Sequence, residues 1–362
     1  MPSLPALFAP LTVRQTTVRN RLWVSPMCLY SVVSGDGLVA PWHQMHYGSL
    51  AAGCAGLVMV EATAVSPEGR MTLGDLGLWD DAQIPGLQSI AGFIHAQGAV
   101  AGIQLGHAGR KASTTPMWAG SVPLTKAQGA YATLAPSAVA YGNYPVPSEM
   151  STAQIEAVAT AFGAAANRAN QAGFDVVEIH AAHGYLLHQF ASPLSNRRSD
   201  SYGGSLENRT RLHRQVLQTV RQNLPASTVV AMRLSATDWV EGGWDLDQSI
   251  QLVKAVKAAG LDHVDVSAGG LVDYAKAPAA PGYLAPFAGQ IRQATGLSVN
   301  TVGIISTAVQ ANQLVATGVA DAVMLGRPLL RNPHLPIAWA AELGVDPLAL
   351  CPPQYSQARW RD

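Results

Sequence analysis

The sequence has 362 residues, 48% of them hydrophobic, with 34 Gly and 23 Pro, the profile of a packed, loop-rich globular chain and not of a disordered one. Lys plus Arg and Asp plus Glu balance at 23 each, which excludes a general basic field for nucleic acid or an anionic membrane surface. No apolar run approaches the roughly 18 residues of a membrane helix, and the start Met1-Pro2-Ser3-Leu4-Pro5 lacks a signal-peptide layout, so a cytoplasmic protein is expected.

In chain order, short apolar runs with strand character fall at Leu22–Ser25, Gly56–Glu61, Val100–Leu105, Phe174–His180, Thr228–Leu234, Asp262–Ser267, Leu297–Val302 and Asp321–Leu325. Helical periodicity falls between them, near His43–Ala52, Ala82–Gln97, Thr152–Ala172, Ser205–Leu224, Leu246–Ala259, Pro286–Ala294, Thr307–Thr317 and Pro333–Ala341. Gly173, Gly260 and Gly318 stand just past helix ends, where positive φ is wanted. Strand-then-helix units with near-continuous apolar strands imply a parallel sheet buried on both faces, and a (β/α)₈ barrel closes it most economically. An open doubly wound sheet calls for a Gly-x-Gly-x-x-Gly turn after an early strand, and none is present. The segment from about Gly106 to Met150 carries no regular pattern; a loop that long in a compact fold covers a site. The expectation is one domain over residues 1–362.

Barrel chemistry sits at the C-terminal ends of the strands. The fourth strand ends in His180-Ala181-Ala182-His183-Gly184-Tyr185, two imidazoles and a phenol in six residues. By itself this stretch is compatible with half of a metal site, a proton relay or packing. Gly303 after the seventh strand and Gly326-Arg327 after the eighth have the form of a phosphate site, in which side-chain-free backbone N–H groups approach the anion and a guanidinium adds forked donors. Gln104 and Arg233, single polar groups at the ends of apolar strands, suit a planar ligand with polar atoms on its edge. Cys28, Cys54 and Cys351 are odd in number and far apart, which argues against a disulfide framework, a zinc site or an iron–sulfur cluster.

Ser25-Pro26-Met27-Cys28 with Tyr30, Glu61-Ala62, Gln104 with His107-Ala108-Gly109-Arg110-Lys111, His180 through Leu186, and Asn196 through Ser205 occur in one order along the chain. Together they resemble the old yellow enzyme family, more narrowly its bacterial xenobiotic reductases and thermophilic-like ene-reductases, over essentially the whole length. The resemblance implies an FMN-containing (β/α)₈ barrel that uses NADPH or NADH to reduce activated C=C bonds of small α,β-unsaturated carbonyl or nitro compounds. It assigns cofactor binding to Ser25, Pro26, Met27, Cys28, Ala62, Gln104, Arg233, Gly303, Gly326 and Arg327, with the Cys28 thiol adjusting the flavin potential. It assigns substrate contact to Tyr30, His180, Ala181, Ala182, His183 and Trp360. Both imidazoles are expected to donate hydrogen bonds to the substrate oxygen, and Tyr185 to protonate the α-carbon. No metal is implied.

The resemblance also implies a homo-oligomer, a dimer or tetramer, with residues 352–362 forming a tail at a subunit interface. Here the sequence departs from the family pattern: an Arg–Gly–aromatic ending is replaced by one in which Arg359 or Trp360 takes that place. Two other readings remain: a metal-dependent barrel hydrolase using His180 and His183, which lacks a third ligand in the motif, and a non-catalytic flavin-binding protein.

Overall fold

The computed structural model describes residues 4–357. Eight parallel strands close into one barrel: β1 (Leu22–Val24), β2 (Leu57–Ala64), β3 (Val100–Gly106), β4 (Val176–Ala181), β5 (Val229–Ser235), β6 (His263–Ser267), β7 (Ser298–Thr301) and β8 (Ala322–Leu325). Closure runs through β8 onto β1, with Val323, Met324 and Leu325 opposite Leu22, Trp23 and Val24. The outer layer is α1 (Pro41–Ala52), α2 (Ile84–Ala96), α3 (Thr152–Gln171), α4 (Arg211–Gln222), α5 (Leu246–Lys257), α6 (Ala285–Thr295), α7 (Ala308–Ala316) and α8 (Leu335–Glu342). This is the expected (β/α)₈ barrel, and Gly173, Gly260 and Gly318 do take positive φ (+88°, +104° and +72°). No helix among the described residues is long and apolar enough to cross a membrane.

Alternation along each strand divides the core in two. Val177 and Ile179 of β4, Val230, Met232 and Leu234 of β5, and Val264 and Val266 of β6 face the helices in the main cluster. Trp23, Met59, Val176, Val229, Ala231 and Met324 fill the barrel's lower interior. That inner layer is closed from below by an antiparallel hairpin, Leu11–Val13 with Thr16–Val18, whose Val13 and Val18 pack under the first residues of β2 to β5. Sequence periodicity gave no sign of this hairpin.

Two further segments differ from expectation. β2 continues to Ala64 through a register shift between Val60 and Ala62, which carries Glu61 past the regular ladder. The helix expected over Ser205–Leu224 is interrupted at Thr210 (φ −98°, ψ 3°), leaving Leu206–Arg209 and α4. The long segment after β3 contains only short turns and a two-residue pairing of Leu134–Ala135 with Ser148–Glu149. It is tied back by Arg110, whose Nη1 donates to Val139 O (3.0 Å) and Ala140 O (3.1 Å) and whose Nη2 donates to Leu271 O (2.7 Å). The candidate tail residues Arg359 and Trp360 lie outside the described residues.

Candidate functional site

The turn after β4 is held by its backbone. His183 and Gly184 take left-handed φ of +58° and +73°, a conformation that L side chains adopt reluctantly. The His183 N–H donates to Ser235 Oγ (3.0 Å) and the Gly184 N–H to His188 Nδ1 (2.9 Å), while Gln189 Nε2 donates to Gly184 O (2.7 Å). Lys111 Nζ donates to both His183 O (2.9 Å) and Gly270 O (3.1 Å), joining the loops after β4 and β6. Only glycine fits at 184: a Cβ there would lie 2.2 Å from Gly270 O.

That turn brings the three sequence-flagged side chains together. The His180 ring lies edge-on to His183 (centroids 5.1 Å apart) and to Tyr185 (4.9 Å). His180 Nδ1 accepts from the Ala182 N–H (3.2 Å), so the ring proton belongs on Nε2. Burial, reinforced by Arg233, lowers both imidazoles well below the ordinary histidine value, so they are neutral donors. His183 differs from His180 in one respect: its Nε2 is 2.7 Å from Ser267 Oγ. That contact leaves Nδ1 as the ring nitrogen without a hydrogen bond among the described residues, and Nδ1 is a donor in the tautomer in which the Ser267 hydroxyl donates to Nε2. Ala181 and Ala182 are buried spacers between the rings. Burial raises the Tyr185 phenol well above its usual value, so it keeps its proton.

Facing this turn, Cys28, Tyr30 and Tyr185 join Ala62, Met71, Ala108, Ala112 and Tyr131 in one apolar cluster. The loop bearing Cys28 and Tyr30 is anchored by buried Glu61, which accepts from the Leu29 N–H (3.1 Å) and the Tyr47 hydroxyl (2.7 Å). Burial pushes the Glu61 carboxyl up to about 8 and the Cys28 thiol well above its usual value, so Cys28 is a thiol and not a thiolate. Trp118 of the long segment, 72% exposed, reaches back to place its ring 5.8 Å from Tyr30.

Beneath the turn the barrel is polar. Gln104 Nε2 donates to Glu178 Oε1 (2.7 Å). Arg233 Nη1 donates to Ser25 Oγ (3.0 Å), and its Nε lies 3.1 Å from Asp265 Oδ2. Asn300 Nδ2 donates to Asp265 Oδ1 (2.6 Å), and Asn300 Oδ1 is 2.7 Å from His263 Nε2. Ser25 is held where β1 ends, its N–H donating to Leu325 O (3.0 Å), with Pro26 and Met27 following it toward the eighth strand end. Glu178, Asp265 and Asn300 were not picked out in the sequence as site residues. Part of their signal was available: Glu178 and Asp265 are each a polar residue between apolar strand neighbours, and Glu178 shares the inward face with His180.

At the seventh and eighth strand ends a cavity of about 380 Å³ is lined by Val302 to Ser306, Met324 to Pro328 and Arg331, including Gly303, Gly326 and Arg327. Gly303 has φ +106°, and a Cβ on it would meet Tyr283 at 2.7 Å. The set fits FMN: a cavity with side-chain-free backbone and Arg327 for the phosphate, a buried guanidinium at Arg233 and the Gln104 amide for a polar ring edge, and the apolar Ala62 and Met27 between. Among the described residues no three or more His, Cys, Asp or Glu side chains cluster as metal ligands, so His180 and His183 gain no third donor.

The chain matches the NADH:flavin oxidoreductase / NADH oxidase family over residues 6–344. It is 46% identical over 356 residues to an NADPH dehydrogenase of Geobacillus thermodenitrificans, covering 98% of each chain. The solved complex of morphinone reductase with tetrahydroNAD superposes with a TM-score of 0.77 at 28% identity, covering 99% of this chain and 98% of that one. A 2-naphthoyl-CoA reductase complex superposes with a TM-score of 0.86 at 25% identity over 94% of this chain, which spans about half (52%) of that longer protein. A closed parallel barrel with its polar groups gathered at the strand ends, and these matches along nearly the whole length, make the chain a member of the NADH:flavin oxidoreductase / NADH oxidase family, the family of the old yellow enzymes.

Proposed function

We propose that this protein is an FMN-dependent ene-reductase that takes reducing equivalents from NADPH or NADH and reduces the activated C=C bond of small α,β-unsaturated carbonyl or nitro compounds. The observation that carries the reading is the neutral His180 ring, its Nδ1 capped by the Ala182 N–H and its Nε2–H left as a donor, standing 4.9 Å from the Tyr185 ring. FMN, when bound, supplies the hydride carrier between nicotinamide and alkene.

The chain's own groups do the rest. His180 through Nε2–H and His183 through Nδ1–H donate to the substrate oxygen, where negative charge builds as the β-carbon is reduced; fixed neutral donors stabilise that charge without first losing a solvent shell. Tyr185 holds its proton until the α-carbon becomes basic, then delivers it. Arg233, buried and braced by Ser25 and Asp265, would present its guanidinium to the polar edge of the cofactor. Tyr30 and Trp118, whose ring centroids lie 5.8 Å apart, would stand over the mouth.

The test is direct. The purified protein is examined for flavin absorbance, reduced anaerobically with NADPH, and then given 2-cyclohexenone. Bleaching by NADPH and recovery with the enone are expected. A colourless protein that FMN does not reconstitute overturns the reading, and a yellow protein that NADPH does not bleach makes it a flavin binder without this activity.

A further inference from the structure

We propose that Glu178 is a positioning residue for the cofactor: by taking up the amide N–H of Gln104 it fixes the Gln104 carbonyl oxygen as the end that faces the polar ring edge of FMN. The inference rests on the FMN reading above and adds to it a residue that never touches the ligand.

A glutamine side chain has two nearly isosteric ends, one accepting and one donating, and a ligand in contact with it sees whichever end its neighbours leave free. Gln104 and Glu178 stand opposite each other in the β3–β4 register, both pointing into the barrel and both buried. The contact is Gln104 Nε2 to Glu178 Oε1 at 2.7 Å. An ionised carboxylate can only accept, so the Gln104 amide cannot turn over without setting two acceptors against each other. The carbonyl oxygen left free calls for a ring N–H as partner, which the imide nitrogen of an isoalloxazine provides.

Among the described residues Gln104 is the one hydrogen-bond partner of the Glu178 carboxyl. Glu178 Oε2 is buried with no hydrogen-bond partner, although Arg233 and Asn300 lie in the same layer and are engaged with Asp265. Burial and the neighbouring Asp265 raise its carboxyl to about 8. With the proton on the unpartnered Oε2, Oε1 still accepts from Gln104, and the ionised carboxylate, above about 8, forbids the turned-over amide outright.

The experiment is a double-mutant cycle on FMN affinity, read by quenching of flavin fluorescence on titration into apoprotein, which needs no turnover. Glu178→Leu should weaken FMN binding about tenfold, the value of a lost or misdirected hydrogen bond. Glu178→Gln, which can still accept from Gln104, should stay within about threefold. In a Gln104→Ala background Glu178→Leu should add almost nothing, because its effect runs through Gln104. The proposal is overturned by wild-type affinity in Glu178→Leu, or by a loss that persists undiminished in the Gln104→Ala background. Glu178→Met takes the place of Glu178→Leu in the cycle, with the same two outcomes, if the leucine apoprotein shows no cooperative melt. Failure of the wild-type chain to bind FMN is a separate result that strikes the functional reading itself.

Discussion

His188 Nε2 lies 2.8 Å from Asp238 Oδ1 with both side chains buried, while the other ring nitrogen accepts from the Gly184 N–H in the left-handed turn between His183 and Tyr185. The pair thus connects the loop after β5 to the turn that carries the proposed catalytic groups. Asp238 is further held by Ser192 Oγ (2.6 Å) and the Trp244 N–H (2.8 Å). Although burial opposes it, His188 and these donors keep the Asp238 carboxyl below its usual 3.8. A depressed carboxyl contributes stability above its unfolded value and loses it as pH falls through the folded one. His188→Ala should destabilise the fold by about 1–3 kcal/mol, because it leaves Asp238 Oδ1 buried without its donor. Asp238→Asn should melt with a shallower loss of stability in acid than wild type. Parallel acid profiles for the two proteins would remove Asp238 from the account.

Lys111 yields a pH prediction for activity. Burial, with Arg110 adding, lowers its ammonium to about 8 from 10.5. Folding therefore disfavours its charged form: the cost to stability is full below about 8 and fades as pH rises toward the unfolded value. The contacts to His183 O and Gly270 O are strongest when Lys111 is charged, so the turn is best held below pH 8. The pH profile of kcat/KM should show an alkaline decline near 8, which Lys111→Met should flatten while lowering activity about tenfold. An unchanged decline in the variant would assign it to another group.

Tyr185→Phe removes only the phenolic hydroxyl and should spare the helix that begins at Leu186, since that helix takes no side-chain cap from Tyr185. Oxidation of the reduced enzyme by an enone should slow by about a hundredfold or more, in the range of a lost general acid. FMN content and the rate of reduction by NADPH should hold. Unchanged enone turnover in stopped-flow would mean that another group or water delivers the proton.

These predictions draw on features of unequal visibility in the sequence. The barrel strands were legible because burial on both faces leaves uninterrupted apolar runs, and the His180 to Tyr185 turn was legible because three titratable groups lie side by side. The same double burial hid which residues face inward, so Glu178 read as part of a strand and not as the partner of Gln104. His183 and Ser267 are 84 residues apart, and no local pattern announces that one ring nitrogen is already engaged. The hairpin at Leu11–Val18 has strands of three residues, too short for alternation to register. Thr210 breaks a helix whose apolar periodicity continues across it.

The two glycines of the proposed phosphate site separate backbone strain from ligand approach. Gly303 sits at φ +106° with no room for a Cβ, so Gly303→Ala should lower both thermal stability and FMN affinity. Gly326 lies outside the left-handed region, at φ −103°, and the nearest atom to a Cβ there is Met27 Sδ at 3.4 Å, an ordinary contact. Gly326→Ala should therefore leave the melting temperature of the apoprotein near wild type. If the phosphate approaches the backbone between Gly326 and Arg327, the added methyl intrudes on it and FMN affinity should fall by about tenfold or more, the equivalent of one lost charge-assisted hydrogen bond. Wild-type FMN affinity in Gly326→Ala would move the phosphate away from this strand end, and a lowered melting temperature would show that the loop has no room for a methyl group.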